Sequence, residues 1–228
     1  MGTSGSSSLA PRIGVFGGSF NPVHLGHLLV ADEVRERLDL DRVVFVPASV
    51  PPHKPAAELA PAVHRFEMVR RAVADHPQFE VSDVELVRRG PSYTVDTLRG
   101  LHSLGDLFLL IGSETFLDLL SWREPHAVAS LARLAVVART GSAFDPDAPA
   151  ARKVLRALAL PDFVRAVGGS AATAPGEGRA PLLVTAASLP ISASDLRRRA
   201  REGRSLAFRT RAPVIAYIRE HALYRAEA

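Results

Sequence analysis

The strongest constraint on how this chain can fold is an alternation. Short apolar runs of strand length lie at 12–16, 43–47, 79–81, 106–111, 134–138 and 182–184. Segments with helical spacing of apolar residues separate them, at 22–38, 61–76, 93–102 and 124–131. In the first of these, Val30, Val34 and Leu38 fall on one helical face. Alternating strands and helices favour right-handed crossovers between parallel strands. The predicted fold is therefore α/β: a Rossmann-like, mostly parallel sheet with helices on both faces. Two more helices, at 192–202 and 213–222, would form a small C-terminal helical part from about residue 190 to 228. Between 140 and 180, Gly, Pro and Ala predict loops around a helix at 152–158, with mobility expected at 168–181. Residues 1–10 read as a disordered tail or cloning remnant, which leaves 11–228 as a single domain.

Ligands in such sheets bind beyond the carboxyl ends of the strands, at a topological switch point. The segment richest in chemistry lies at the first such end: Gly17-Gly18-Ser19-Phe20-Asn21-Pro22-Val23-His24-Leu25-Gly26-His27. Two glycines at a strand-to-helix turn let the backbone approach a phosphate with no side chain between. Asn21 suits a helix N-cap and Pro22 the first helical position. Such a helix start would offer unpaired N–H groups and a positive dipole end to an anion. His24 and His27 are three residues apart and share a helix face. Both could donate to phosphate oxygens, and as imidazolium ions they would offset charge. Each part alone fits an ordinary turn with two surface histidines; the combination points to phosphate. The glycine spacing matches neither the dinucleotide fingerprint nor a P-loop. With no cysteine or adjacent carboxylate, the histidine pair lacks the rest of a metal site.

A second segment, Ile191-Ser192-Ala193-Ser194-Asp195-Leu196-Arg197, precedes a basic helix. Ser192 with Asp195 resembles a capping box. The same hydroxyls and free amides, with Arg197 one turn in, can hold phosphate oxygens.

Composition narrows the classes. The 228 residues are 47% hydrophobic, enough for a full core, and no apolar run is long enough for a membrane helix. The absence of cysteine excludes disulfides and a thiol nucleophile, and fits a cytoplasmic protein with no secretory segment. The net charge of +4 admits an anionic ligand. It is not the dense basic patch of a nucleic-acid binder, and neither nucleic acid nor membrane is expected as a partner. A homo-oligomer is left open.

The Gly17–His27 segment resembles the signature of the nucleotidyltransferase superfamily that carries a His-x-Gly-His pair. Ser192–Arg197 resembles its second motif, with Ala193 where a serine is usual and Ser194 where threonine is. Three further segments are similar to the bacterial nicotinate-nucleotide adenylyltransferases: Pro51-Pro52-His53-Lys54, Ser92-Tyr93-Thr94-Val95-Asp96-Thr97, and Gly112-Ser113-Glu114 with Trp122 beyond. The resemblance runs from about residue 12 to 224.

It implies an enzyme of NAD biosynthesis that transfers AMP from ATP to nicotinate mononucleotide and releases pyrophosphate. Gly17, Gly18, Ser19, Phe20, His24, His27, Gly112, Glu114, Ser192, Ser194 and Arg197 would bind ATP, with His24, His27 and Arg197 catalytic. Glu114 stands where the family has aspartate. His53, Lys54, Tyr93, Thr94, Trp122 and Arg123 would bind the acceptor, with the Trp122 indole stacked on the pyridine ring. Backbone N–H groups near Thr94 and Arg123 would take its carboxylate. Mg2+ is implied as cofactor, held mainly through ATP phosphates, with no metal-ligating side chains. The alternatives are nicotinamide mononucleotide or phosphopantetheine as acceptor, or a non-catalytic nucleotide sensor.

Overall fold

The computed structural model describes residues 10–51, 59–166 and 179–225. Seven strands form one sheet: β1 (Arg12–Gly18), β2 (Arg42–Pro47), β3 (Phe79–Val81), β4 (Asp106–Gly112), β5 (Arg133–Arg139), β6 (Val164–Arg165) and β7 (Leu182–Ala186). Their order across the sheet is β3-β2-β1-β4-β5-β7-β6, and every pairing is parallel. The chain runs from β1 out to β3, then crosses back to β4 on the other side of β1. The switch point thus lies between β1 and β4.

Helices α1 (Leu25–Arg37), α2 (Ala62–Val73), α7 (Ala193–Arg201) and α8 (Ala212–Glu220) cover one face. Helices α3 (Thr94–Leu101), α4 (Ser113–Leu117), α5 (Pro125–Leu131) and α6 (Pro149–Ala157) cover the other. Strand residues divide between the two cores with period two: Val43 and Phe45 face α1 and α2, while Val44 and Val46 face α3 and α5. The runs are apolar throughout because both faces are covered. No helix among the described residues is long and apolar enough to cross a membrane.

Most predicted elements are present with shifted ends. The two-residue β6 was missed, being too short to show a period. Gly17 and Gly18 belong to β1 instead of a turn, paired with Val46 and Pro47. Helix α1 starts at Leu25 with His24 as N-cap, not at Pro22 with Asn21 as cap. Asn21 cannot cap because its side-chain oxygen already accepts from the Ala60 N–H at 3.1 Å and from the Tyr224 hydroxyl at 2.8 Å. Residues 1–9 and 167–178 lie outside the described residues, and the latter include most of the 168–181 segment expected to be mobile.

Candidate active site

The switch point opens a crevice in the sheet. β1 pairs with β4 only from Arg12 to Val15, yet pairs with β2 as far as Gly18, and β4 pairs with β5 as far as Gly112. Beyond Val15 and Leu109 the two central strands part, so Gly17 and Gly112 stand on opposite walls. A Cβ on Gly17 would meet no atom within 4 Å, so the backbone there borders open space.

His24 and His27 stand next to this crevice, at the N-cap and third position of α1. Their rings stack, with centroids 3.7 Å apart. The His24 N–H donates to Nδ1 of His27 at 3.2 Å. In the neutral ring that leaves the hydrogen of His27 on Nε2, as a donor. His24 is only 6% exposed, and its buried Nδ1 has no partner among the described residues. Burial first, then the positive charge of Arg139 at the end of β5, pushes its pKa down to about 4. His24 is therefore neutral near pH 7 and acts as a hydrogen-bonding group, not as the imidazolium that the sequence allowed. Gly26 suits this arrangement: a Cβ there would lie 3.2 Å from the His24 ring, a tight contact that would press on the stack.

The amides at the start of α1 are less available than expected. Leu25 donates to the Arg209 carbonyl at 2.9 Å, and His27 donates to the His24 carbonyl at 2.9 Å. Two of the amides at this helix start are thus already engaged within the protein. The ring of Phe20 is buried against Phe16, Phe45 and His27, so it packs beneath the site. Phe20 has φ of 42°, a left-handed conformation that a bulky residue rarely adopts outside constrained sites.

Arg65, 1% exposed, lies under the glycine strand and was missed by sequence reasoning. Its guanidinium donates to the carbonyls of Ala60, Ser19, Ala48 and Ser49 at 2.6–3.0 Å. It ties the end of β1 to the end of β2 and places a fixed positive charge below the crevice. A signal was present: Arg65 shares a helical face with Met68, Val69 and Ala72, where an arginine must find buried acceptors.

The second motif arrives from α7. Ser192 is its N-cap, accepting the Asp195 N–H at 3.2 Å as predicted, and its hydroxyl lies 3.0 Å from that of Ser194. Arg197 donates to the Asn21 carbonyl at 2.9 Å, which brings α7 against the signature loop. Tyr224 reaches the same asparagine from the C-terminal segment. Burial raises the phenol pKa above its ordinary value, with Arg197 and Arg65 opposing. The hydroxyl therefore keeps its proton.

On the far wall, Glu114 is exposed in the first turn of α4, beside Gly112. Tyr93 is the N-cap of α3, so the N–H groups of Thr94 and Val95 lack acceptors within the helix. Ser92 does not cap it; its hydroxyl accepts from Ser49 and Val50, at 2.9 and 3.2 Å. The Arg123 guanidinium lies over the Tyr93 ring, 4.8 Å from the centroid. Trp122 is half-buried at the edge of the same core, and Glu124 follows with φ of 50°. Arg99 clasps Glu124, which holds the Trp122–Arg123 turn against α3. Tyr93, Thr94, Trp122 and Arg123 thus come from two neighbouring helix starts. His53 and Lys54 lie outside the described residues.

A family model described as cytidylyltransferase-like matches residues 15–199. A Roseiflexus sp. (strain RS-1) protein named "Probable nicotinate-nucleotide adenylyltransferase" is 42% identical over 220 residues, 96% of this chain and 100% of its own length. One of the same name from Thermus thermophilus is 42% identical over 94% of this chain and 100% of its own. The chain belongs to the nicotinate-nucleotide adenylyltransferase family. The adenylyltransferase fold is shared by solved structures of far lower identity. "Plasmodium falciparum nicotinic acid mononucleotide adenylyltransferase complexed with NaAD" superposes with a TM-score of 0.64 at 18% identity, covering 94% of this chain and 97% of the other. In this member of the family the signature histidines and the Ser192–Arg197 segment converge, through Asn21, on the one crevice at the switch point.

Proposed function

We propose that this chain transfers the AMP part of ATP to nicotinate mononucleotide, giving nicotinate adenine dinucleotide and pyrophosphate, as a cytoplasmic enzyme of NAD biosynthesis. The observation that carries this reading is the stacked His24–His27 pair at the point where β1 and β4 part, with Arg197 drawn in through Asn21. A phosphate oxygen of the acceptor attacks the α-phosphorus of ATP in line. The bond from that phosphorus to the bridging oxygen breaks, and the electron pair leaves with pyrophosphate. The attacking phosphate is already ionised, so no general base is needed. The work of the protein is positioning and stabilisation of charge. His27 Nε2–H and the neutral His24 donate to the α-phosphate, while Ser192, Ser194 and Arg197 hold the departing phosphates.

Magnesium, when bound, would neutralise phosphate charge. Among the described residues no three His, Asp or Glu side chains gather to hold a metal, so the triphosphate and water are the ligands proposed. For the acceptor, the support is the grouping of Tyr93, Thr94, Trp122 and Arg123, an aromatic platform beside open helix-start amides that suits a ring bearing a carboxylate. The test is pyrophosphate release from ATP with nicotinate mononucleotide, nicotinamide mononucleotide and phosphopantetheine side by side. Release is expected with the first in clear preference. Equal or greater release with another acceptor overturns the choice of substrate, and none with any leaves a nucleotide sensor.

A further inference from the structure

Outside the crevice, five arginines of the C-terminal part line one continuous groove. A cavity of about 710 Å³ between the end of α7 and the face of α8 is lined by Arg201, Arg204, Arg219 and Arg225, over an apolar floor that includes Leu206 and Ile218. A second cavity of about 570 Å³ adjoins it, shares Arg201 and Arg225, and reaches Arg197. No Asp or Glu among the described residues lines either one. Elsewhere in the molecule arginines are commonly paired, as Arg70 and Arg71 are with Glu67, and Arg99 with Glu124. Of the four at the larger cavity, only Arg204 has an ion-pair partner among the described residues, Glu202 at 3.4 Å. Arg201, Arg219 and Arg225 have none among the described residues. Like charges that converge without counter-charges repel one another, and an anion placed among them removes that cost. Arg197 and Arg201 are one helical turn apart on α7, about 6 Å along its axis, so the groove presents charge in steps leading away from the crevice.

We propose that this groove binds an oligophosphate anion, inorganic or carried as the tail of a nucleotide, at a site additional to the one where ATP reacts. Guanidinium forks match phosphate oxygens, several of which fit a cavity of this size at once. Because the groove ends at Arg197, an occupant lies beside a residue proposed to hold the departing phosphates. The site stands apart from the choice of acceptor, and its binding is measured without one.

The test is calorimetric titration of the full chain with tripolyphosphate while a non-hydrolysable ATP analogue saturates the crevice. Saturable binding that weakens steeply with added salt is expected to persist. Arg201→Gln/Arg219→Gln/Arg225→Gln should weaken it at least tenfold, with turnover at saturating substrates unchanged; Arg219→Gln alone should give a smaller loss in the same direction. Thermal unfolding midpoints equal to the parent's show that the fold is intact. A second equivalent of the analogue binding in the parent, lost in the triple variant, identifies the nucleotide-borne form; tripolyphosphate alone binding identifies the inorganic one. Tripolyphosphate binding that vanishes once the analogue is present with only one equivalent of analogue bound, or that is unchanged in the triple variant, overturns the proposal.

Discussion

The His24 and His27 rings lie one over the other, 3.7 Å between centroids, with the backbone N–H of the first bonded to Nδ1 of the second. The bond fixes which nitrogen of His27 carries hydrogen, and the stack holds both rings at the mouth of the crevice.

From this, His27→Ala should lower kcat by about 100-fold or more, the effect of removing one preorganised donor from a transition state. The lost acceptor for the His24 amide should cost the fold only about 1 kcal/mol. His27→Asn offers the amide an acceptor again but has no Nε2–H, so its stability should recover while kcat stays low. Steady-state kinetics beside thermal melts check both; a kcat restored in the asparagine variant would contradict the donor role.

The buried His24 makes stability depend on pH. Its pKa is about 4 when folded, against an ordinary histidine value of 6.5 that the unfolded chain keeps. Between these values the unfolded chain binds more protons, so the His24 contribution is intact above pH 6.5 and lost as pH falls towards 4. The full loss is about 3 kcal/mol. In denaturant melts from about pH 7.5 to about pH 4, His24→Gln should decline less than the parent by roughly this amount. Parallel declines would show that His24 is not buried as a neutral ring.

Arg65 satisfies four backbone carbonyls from three stretches of chain. Arg65→Met should destabilise by about 3–5 kcal/mol, because the orphaned carbonyls remain buried. Arg65→Lys should recover only part, since an ammonium cannot reproduce the planar fork. Urea unfolding of the three proteins measures this.

Trp122→Ala should raise KM for nicotinate mononucleotide about tenfold, equivalent to about 1.4 kcal/mol, with KM for ATP within about twofold of the parent. Equal rises for both substrates would argue against a ring platform.

Much of this architecture is legible in the sequence because parallel strands covered on both faces read as continuous apolar runs. The helix packing of Val30 and Val34 is legible for a similar local reason. What local pattern could not supply is the fate of Asn21. It has the composition of a cap, yet its partners Ala60, Arg197 and Tyr224 are remote in sequence, and the helix start moved to His24 as a result. The same limit hid Arg139, whose influence on His24 crosses from β5 to α1. Arg65 was visible as a charge on an apolar stripe, and its acceptors were not. The histidines, Ser192 and Arg197 were singled out by local spacing, and the structure stacks the two rings and ties Arg197 to the loop that precedes them.

The tether at Asn21 also bears on how the protein is made. During synthesis the glycine strand and both histidines emerge early, but the loop they share is fastened by Arg197 and then by Tyr224. A nascent chain still short of those residues can pair its first strands but cannot hold the phosphate end of its site in place. The signature loop is therefore fastened only after α7 has been made, and a ribosome stalled before that helix would present a largely folded sheet with the loop unlatched.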